Sequence, residues 1–164
     1  MSESAATKLL SKALKFEREG MEYYTKAREK TRHPAARGIF ELLAGEEKKH
    51  ADFLTGLHAA LKKEGRWPEE VTVDLARDFK AIFAQASRSI DKTVHISTSE
   101  TEALRFAMDM EKRGREMYLD LSKKAKNAAE KSLYERLAEW EKAHYEYVEE
   151  FHGFFQDEGL VMNE

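Results

Sequence analysis

Glu47-Lys48-Lys49-His50 returns ninety-four positions later as Glu141-Lys142-Ala143-His144. Each stretch sets a carboxylate and an imidazole three residues apart, close to one helical turn, so both side chains leave the same helical face. That is a bidentate metal site on a helix. Thirty residues before each lies another carboxylate, Glu17 before Glu47 and Glu111 before Glu141. The same offset pairs Gly20 with Gly114, Tyr24 with Tyr118, Leu43 with Leu137 and Ala44 with Ala138. The chain reads as a duplicated helical hairpin, each copy carrying Glu, then Glu and His.

The apolar pattern around these residues predicts four long helices. The first is expected from about Ala5 to Arg32, with Leu10, Ala13, Glu17, Gly20, Tyr24 and Ala27 on one stripe; Glu19, Glu22 and Lys26 fall off it into solvent. His33-Pro34 ends it, and proline suits the first turn of a second helix that folds back antiparallel. Its stripe is Phe40, Leu43, Glu47, His50, Leu54, Leu57 and Leu61, ending near Gly65; Glu46 is about 100° round the helix and is expected at solvent or a bundle edge. The third stripe is Leu104, Ala107, Glu111, Gly114, Tyr118 and Leu121, with Ser99 and Glu102 as the expected capping box. The fourth is Tyr134, Leu137, Glu141, His144, Val148, Phe151 and Phe155, fading near Gly159.

Between the hairpins, at about 5–65 and 99–158, the segment 66–98 reads as a crossover with its own short helix on Leu75, Phe79, Ile82, Phe83 and Ala86. A long crossover lets the third helix start at the same end as the second. The expectation is one domain over 1–164, an all-α, ferritin-like four-helix bundle.

Composition narrows the function. Hydrophobic residues make up 41% and charged residues 36%, with two prolines and eight glycines, as amphipathic helices with charged outer faces require. The 31 acids and 28 bases are interspersed, which leaves no basic footprint for nucleic acid or membrane. With no cysteine, any metal must sit on oxygen and nitrogen ligands. The start of the chain lacks the pattern of a signal peptide, and no apolar run spans a bilayer, so a cytoplasmic location is expected.

Four buried carboxylates would be costly and mutually repulsive without compensation. Two divalent cations would balance Glu17, Glu47, Glu111 and Glu141, with His50 and His144 neutral. A single Glu-x-x-His on a charge-rich helix is often chance; two copies at equal spacing from a third carboxylate, all on core stripes, form a joint signal. His58 and His152 also repeat but fall beside the core row, and His33 and His95 lie in connections. Tyr24 and Tyr118 are expected to pack in the core and to donate hydrogen bonds near the site, where a phenol can also relay a proton or electron. Met108 and Met110 are expected to serve packing.

Four Glu and two His from four helices is the ligand set of di-iron and di-manganese carboxylate bundles, in which Glu47 and Glu141 would bridge, Glu17 and Glu111 bind terminally, and each His cap one metal. The segments Phe16–Tyr24, Leu43–His50, Glu111–Tyr118 and Leu137–His144 resemble the rubrerythrin branch of the ferritin-like superfamily, and the resemblance runs from Leu10 to about Phe155. It implies a non-haem centre of two iron ions, with manganese conceivable, in a homodimer that reduces hydrogen peroxide or dioxygen. Rubrerythrins proper also carry a rubredoxin domain. Without cysteine this chain has none, which implies an external electron donor of the rubredoxin or reductase type. They carry a further metal-binding Glu one turn after the third-helix ligand, where this chain has Gly114. A symmetric six-ligand site is closer to an oxidase or ferroxidase arrangement, so an iron-handling protein is the first alternative. A bundle with a structural metal and a binding role is the second.

Overall fold

The computed structural model describes residues 4–68 and 93–162 and, between them, positions 81, 84, 85, 88, 90 and 91. Helices α1 (Ala5–Lys30), α2 (Pro34–Glu64), α3 (Thr98–Lys124) and α4 (Ala128–Asp157) form a four-helix bundle. The expected short crossover helix lies outside the described residues. Every residue of the four stripes is buried, so the three-and-four spacing alone set which face of each helix turns inward.

The helix ends follow local chemistry. Ser4 caps α1 by accepting the Thr7 N–H. Gly65 closes α2 at φ 70°, a left-handed conformation that glycine adopts without steric cost. Asn127 caps α4 through the Glu130 N–H. His33 does more than connect: its Nδ1 accepts from Ala35 at 3.2 Å, its Nε2 lies 3.2 Å from the Val94 carbonyl, and its ring packs edge-on against Phe155. Nδ1 therefore carries no proton, and Nε2–H donates to Val94.

The capping box of α3 is Ser97 with Glu100, two residues before the expected Ser99 and Glu102. The shift has a tertiary cause. Ser97 ends β1 (Ile96–Ser97), which pairs in parallel with β2 (Val161–Met162) after α4. Glu100 Oε2 also accepts the N–H groups of Arg32 and His33, both at 2.8 Å, while Oε1 takes the Ser97 hydroxyl at 2.9 Å. One carboxylate thus ties the start of α3 to the α1–α2 connection. It also fixes the topology, because α2 and α3 start at the same end and α1 and α4 finish there. Among the described residues no helix is long and apolar enough to cross a membrane.

Two apolar clusters fill the interior. One holds Tyr24, Phe40, Leu43, Leu104, Val148 and Phe155 at the end where α2 and α3 begin; the other holds Leu10, Leu54, Leu61, Leu121, Tyr134 and Leu137 at the opposite end. Glu17, Glu47, His50, Glu111, Glu141 and His144 belong to neither cluster, though all are buried.

Glu100→Ala is expected to destabilise the fold by about 1.5–3 kcal/mol, the range for hydrogen bonds to a charged group, read as a fall in chemical-denaturation midpoint. Burial raises the Glu100 pKa, but the His33 N–H, Ser97 and the Arg32 N–H together hold it below the ordinary value. Its contribution should therefore fade as pH drops through and below the ordinary carboxylate range. A pH-independent difference between the two proteins would contradict this.

Candidate metal centre

The six residues converge because the duplication meets an antiparallel register. On α1 and α3, Tyr24 lies opposite Glu111 and Tyr118 opposite Glu17: Tyr24 donates to Glu111 Oε1 at 2.5 Å, and Tyr118 donates to Glu17 Oε1. The seven-residue step from Glu to Tyr is two helical turns, so each phenol reaches the carboxylate of the other copy and not its own. On α2 and α4 the exchange repeats with histidine. His50 Nδ1 is 3.4 Å from Glu17 Oε2, 3.8 Å from Glu47 Oε2 and 3.7 Å from Glu141 Oε1. His144 Nδ1 is 3.3 Å from Glu111 Oε2 and 3.9 Å from Glu47 Oε1. The two imidazoles lie nearly parallel, 5.8 Å apart.

Two overlapping quartets result. Glu17, Glu47, His50 and Glu141 offer ligand atoms within 4.8 Å of one another, as do Glu47, Glu111, Glu141 and His144. Glu47 and Glu141 belong to both, the position a bridging carboxylate needs. Glu17 and Glu111 belong to one each. The donor set is all oxygen and nitrogen, suited to iron or manganese.

The electrostatics of these side chains separates the same pairs. Burial pushes the Glu47 carboxyl well up, and repulsion from Glu17 and Glu141 adds to it. Burial does the same to Glu141, with Glu111 and Glu17 adding. At Glu17 burial also acts upward, but His50, Glu47 and Tyr118 outweigh it and hold the carboxyl at about 2. Glu111 is lowered in the same way, burial being opposed by His144, Glu141 and Tyr24. His50 is raised, the Glu17 charge overcoming burial. Buried Glu17 Oε2, Glu47 Oε2, His50 Nδ1, Glu111 Oε2 and both Glu141 oxygens lack hydrogen-bond partners. Orphaned acceptors at this density are unstable unless something positive sits among them, so the residues fit a metal pair.

Two glycines make room for the central carboxylates. A Cβ on Gly20 would lie at ordinary contact from Glu47, 3.6 Å from its Cγ; one on Gly114 would lie 2.5 Å from Glu141 Oε2 and 2.8 Å from Phe16 Cε1. The duplicated positions are therefore unequal, and Glu141 rests directly on the α3 backbone.

The remaining expectations resolve as follows. Tyr24 and Tyr118 are buried, and burial, then Glu111 and Glu17 respectively, raise both phenols well above the ordinary value. Of the two places expected for Glu46 it takes the bundle edge and is buried there, with Lys49 Nζ 2.9 Å from its Oε1. Position 140, its counterpart in the second copy, is Trp140, whose ring meets His50 edge-on at 5.4 Å. His58 sits half-buried at the bundle edge, 3.1 Å from the Ser11 hydroxyl, and His152 is half-buried too. Neither joins the site. Met110 is buried and Met108 packs against the core. Trp140 escaped the sequence reading because it lies off the stripes, and the burial of Glu46 was not foreseen for the same reason; their adjacency to Glu141 and Glu47 was the available signal.

A helical bundle with two buried, overlapping Glu/His quartets is of the class able to hold metal in its core. The rubrerythrin family model matches residues 8–105, more than half of the chain, and the chain belongs to the rubrerythrin family. No curated protein and no solved structure matches it.

Because folded Glu47 and Glu141 bind their protons more tightly than the unfolded chain does, metal-free protein should lose melting temperature as pH rises above the ordinary carboxylate range; below that range, stability should fall as pH drops toward the Glu17 value of about 2. Iron(II) or manganese(II) at a hundredfold excess over its Kd adds about 2.7 kcal/mol per site, about 5–10 °C for a chain of this size. Glu47→Gln with Glu141→Gln should flatten the alkaline slope and shrink the metal-induced rise. An undiminished rise in that double variant would put the metal elsewhere.

Gly114→Ala should weaken metal binding at least tenfold by displacing Glu141, while Gly20→Ala should change it less than threefold. Calorimetric titration with manganese(II) compares them. Equal effects would show that the tight approach to Glu141 is unimportant.

Proposed function

We propose that the chain is a non-haem di-iron redox protein that reduces hydrogen peroxide, with dioxygen as the slower oxidant and an external rubredoxin- or reductase-type protein as electron donor. The observation that carries this reading is the pair of buried quartets sharing Glu47 and Glu141. Glu47 and Glu141 would bridge, Glu17 and Glu111 would bind terminally, and His50 and His144 would each hold one ion. When bound, the iron pair supplies the two electrons that an O–O bond takes up on cleavage to water.

The chain's own residues prepare that chemistry. Tyr24 and Tyr118 stay protonated and aim their hydroxyls at Glu111 and Glu17, leaving the other carboxylate oxygen of each turned toward a histidine. They act as positioning residues. The apolar clusters on either side keep bulk water from the polar layer, which strengthens every interaction within it. The reading includes a cytoplasmic homodimer, as membership of the family suggests, and admits manganese on the same ligands.

One observation favours a second reading, a ferroxidase or iron-handling protein. Gly114 stands where rubrerythrins proper have another ligand, and Glu141 already fills the space beside it.

Stopped-flow absorbance of anaerobic, iron-loaded protein separates the two readings, with iron counted before and after. Oxidation at least tenfold faster with peroxide than with dioxygen, and two irons retained, is the expected result. Faster oxidation by dioxygen with iron lost or accumulating would establish iron handling instead. Indifference to both oxidants would leave a structural metal.

A further inference from the structure

A small cavity of about 170 Å³ opens between α3 and α4, and its lining is Glu111, Lys112, Arg115, Lys142 and Tyr145. Glu111 is the only one of the six clustered residues among them, so this cavity leads from the surface to the Glu111 side of the centre. Its size admits a few water-sized molecules, since one water occupies about 30 Å³, and is below the ~300 Å³ at which pockets accept drug-sized ligands. Its charge is as distinctive as its size. Three of the five lining residues are cations, and Arg115 Nε is buried in the wall without a hydrogen-bond acceptor. Against them stand the Glu111 carboxylate at the inner end, Glu146 at 3.8 Å from Lys142 Nζ, and Glu149, which is engaged by the Tyr145 phenol; within the lining itself the cations outnumber the carboxylate three to one. Outside the centre itself, an unpaired donor between cations calls for an acceptor that carries negative charge.

We propose that this cavity is the entrance to the centre and a subsite for small anions of two or three heavy atoms, with Lys112, Arg115 and Lys142 attracting them and repelling free divalent cations. The inference rests on the di-iron reading and deepens it. A positively charged mouth raises the encounter rate of anions by steering, an effect that fades with salt. A neutral oxidant such as hydrogen peroxide passes without penalty. Iron(II), by contrast, is disfavoured at this opening, which suits a protein that keeps its metal better than one that takes iron as substrate. The duplicated positions on α1 and α2 are Arg18, Met21, Lys48 and Ala51, with two cations in place of three and no phenol, so the two sides of the centre differ in what they can admit.

Azide tests this as an anionic probe and nitric oxide as a neutral one of similar size. Iron is first counted. The oxidised protein is then mixed with sodium azide and followed by its charge-transfer absorbance, and the reduced protein is mixed with nitric oxide. In the unaltered protein, azide association should slow at least fivefold between low and high ionic strength, while nitric oxide association stays constant. In the variant K112Q/R115Q/K142Q, azide association should fall at least tenfold and lose its salt dependence, with nitric oxide association within twofold of the original. Salt-independent azide binding in the unaltered protein overturns the proposal without reference to any variant, and so does a parallel loss of both probes in the variant. A chain that takes up no iron fails at the first step and removes the di-iron reading together with this one.

Discussion

Four carboxylates and two imidazoles in a dry interior are the constraint on which the rest of this bundle depends. Left to themselves, buried carboxylates either repel one another or take up protons, and either course costs stability. The chain places the six between two apolar clusters and divides the burden among them. Glu17 and Glu111 are held toward the charged form through the histidines, Tyr118 and Tyr24, whereas burial and their neighbours' charge push Glu47 and Glu141 toward the protonated form. A pair of divalent cations would remove the conflict. In its absence, the fold must be maintained by the apolar layers on each side.

Duplication supplies the six residues, and antiparallel pairing brings them together. Glu17 with Tyr118 and Tyr24 with Glu111 are one register of α1 on α3; Glu47 with His144 and His50 with Glu141 are one register of α2 on α4. Each copy therefore completes the other, and a single hairpin would carry three residues of one quartet and one of the other. The hydrogen bonds of Glu100 and the β1–β2 pairing set the ends of this arrangement, so that α2 and α3 start together.

The sequence made the bundle and all six polar core positions legible, because a charged residue in an apolar stripe stands out against the helical period. Its limit was partnership across helices. Tyr24 and Tyr118 could be assigned to the site, but not to the carboxylate of the opposite copy, since spacing along one helix says nothing about which helix faces it. The capping box at Ser97 and Glu100 was missed for a related reason: Ser99 with Glu102 has the same local pattern, and only the Arg32 and His33 N–H groups and the β1 strand distinguish them. Glu46 was left between solvent and a bundle edge because burial beside the stripe depends on the neighbouring helix, and the role of His33 stayed unread because a connection carries no period. The two-residue strands are too short to leave any alternation.

The two halves match in ligands and differ in their surroundings. Gly114 is in tight contact with Glu141 where Gly20 is merely near Glu47, and Trp140 stands in the second copy where Glu46 stands in the first. Equal ligands in unequal settings allow two ions with different access to solvent. Anomalous diffraction at the iron edge from iron-loaded crystals tests the central claim most directly. The account predicts two peaks about 3.5–4 Å apart, both between Glu47 and Glu141, one beside His50 and the other beside His144. A single peak, or peaks away from these six residues, would contradict it.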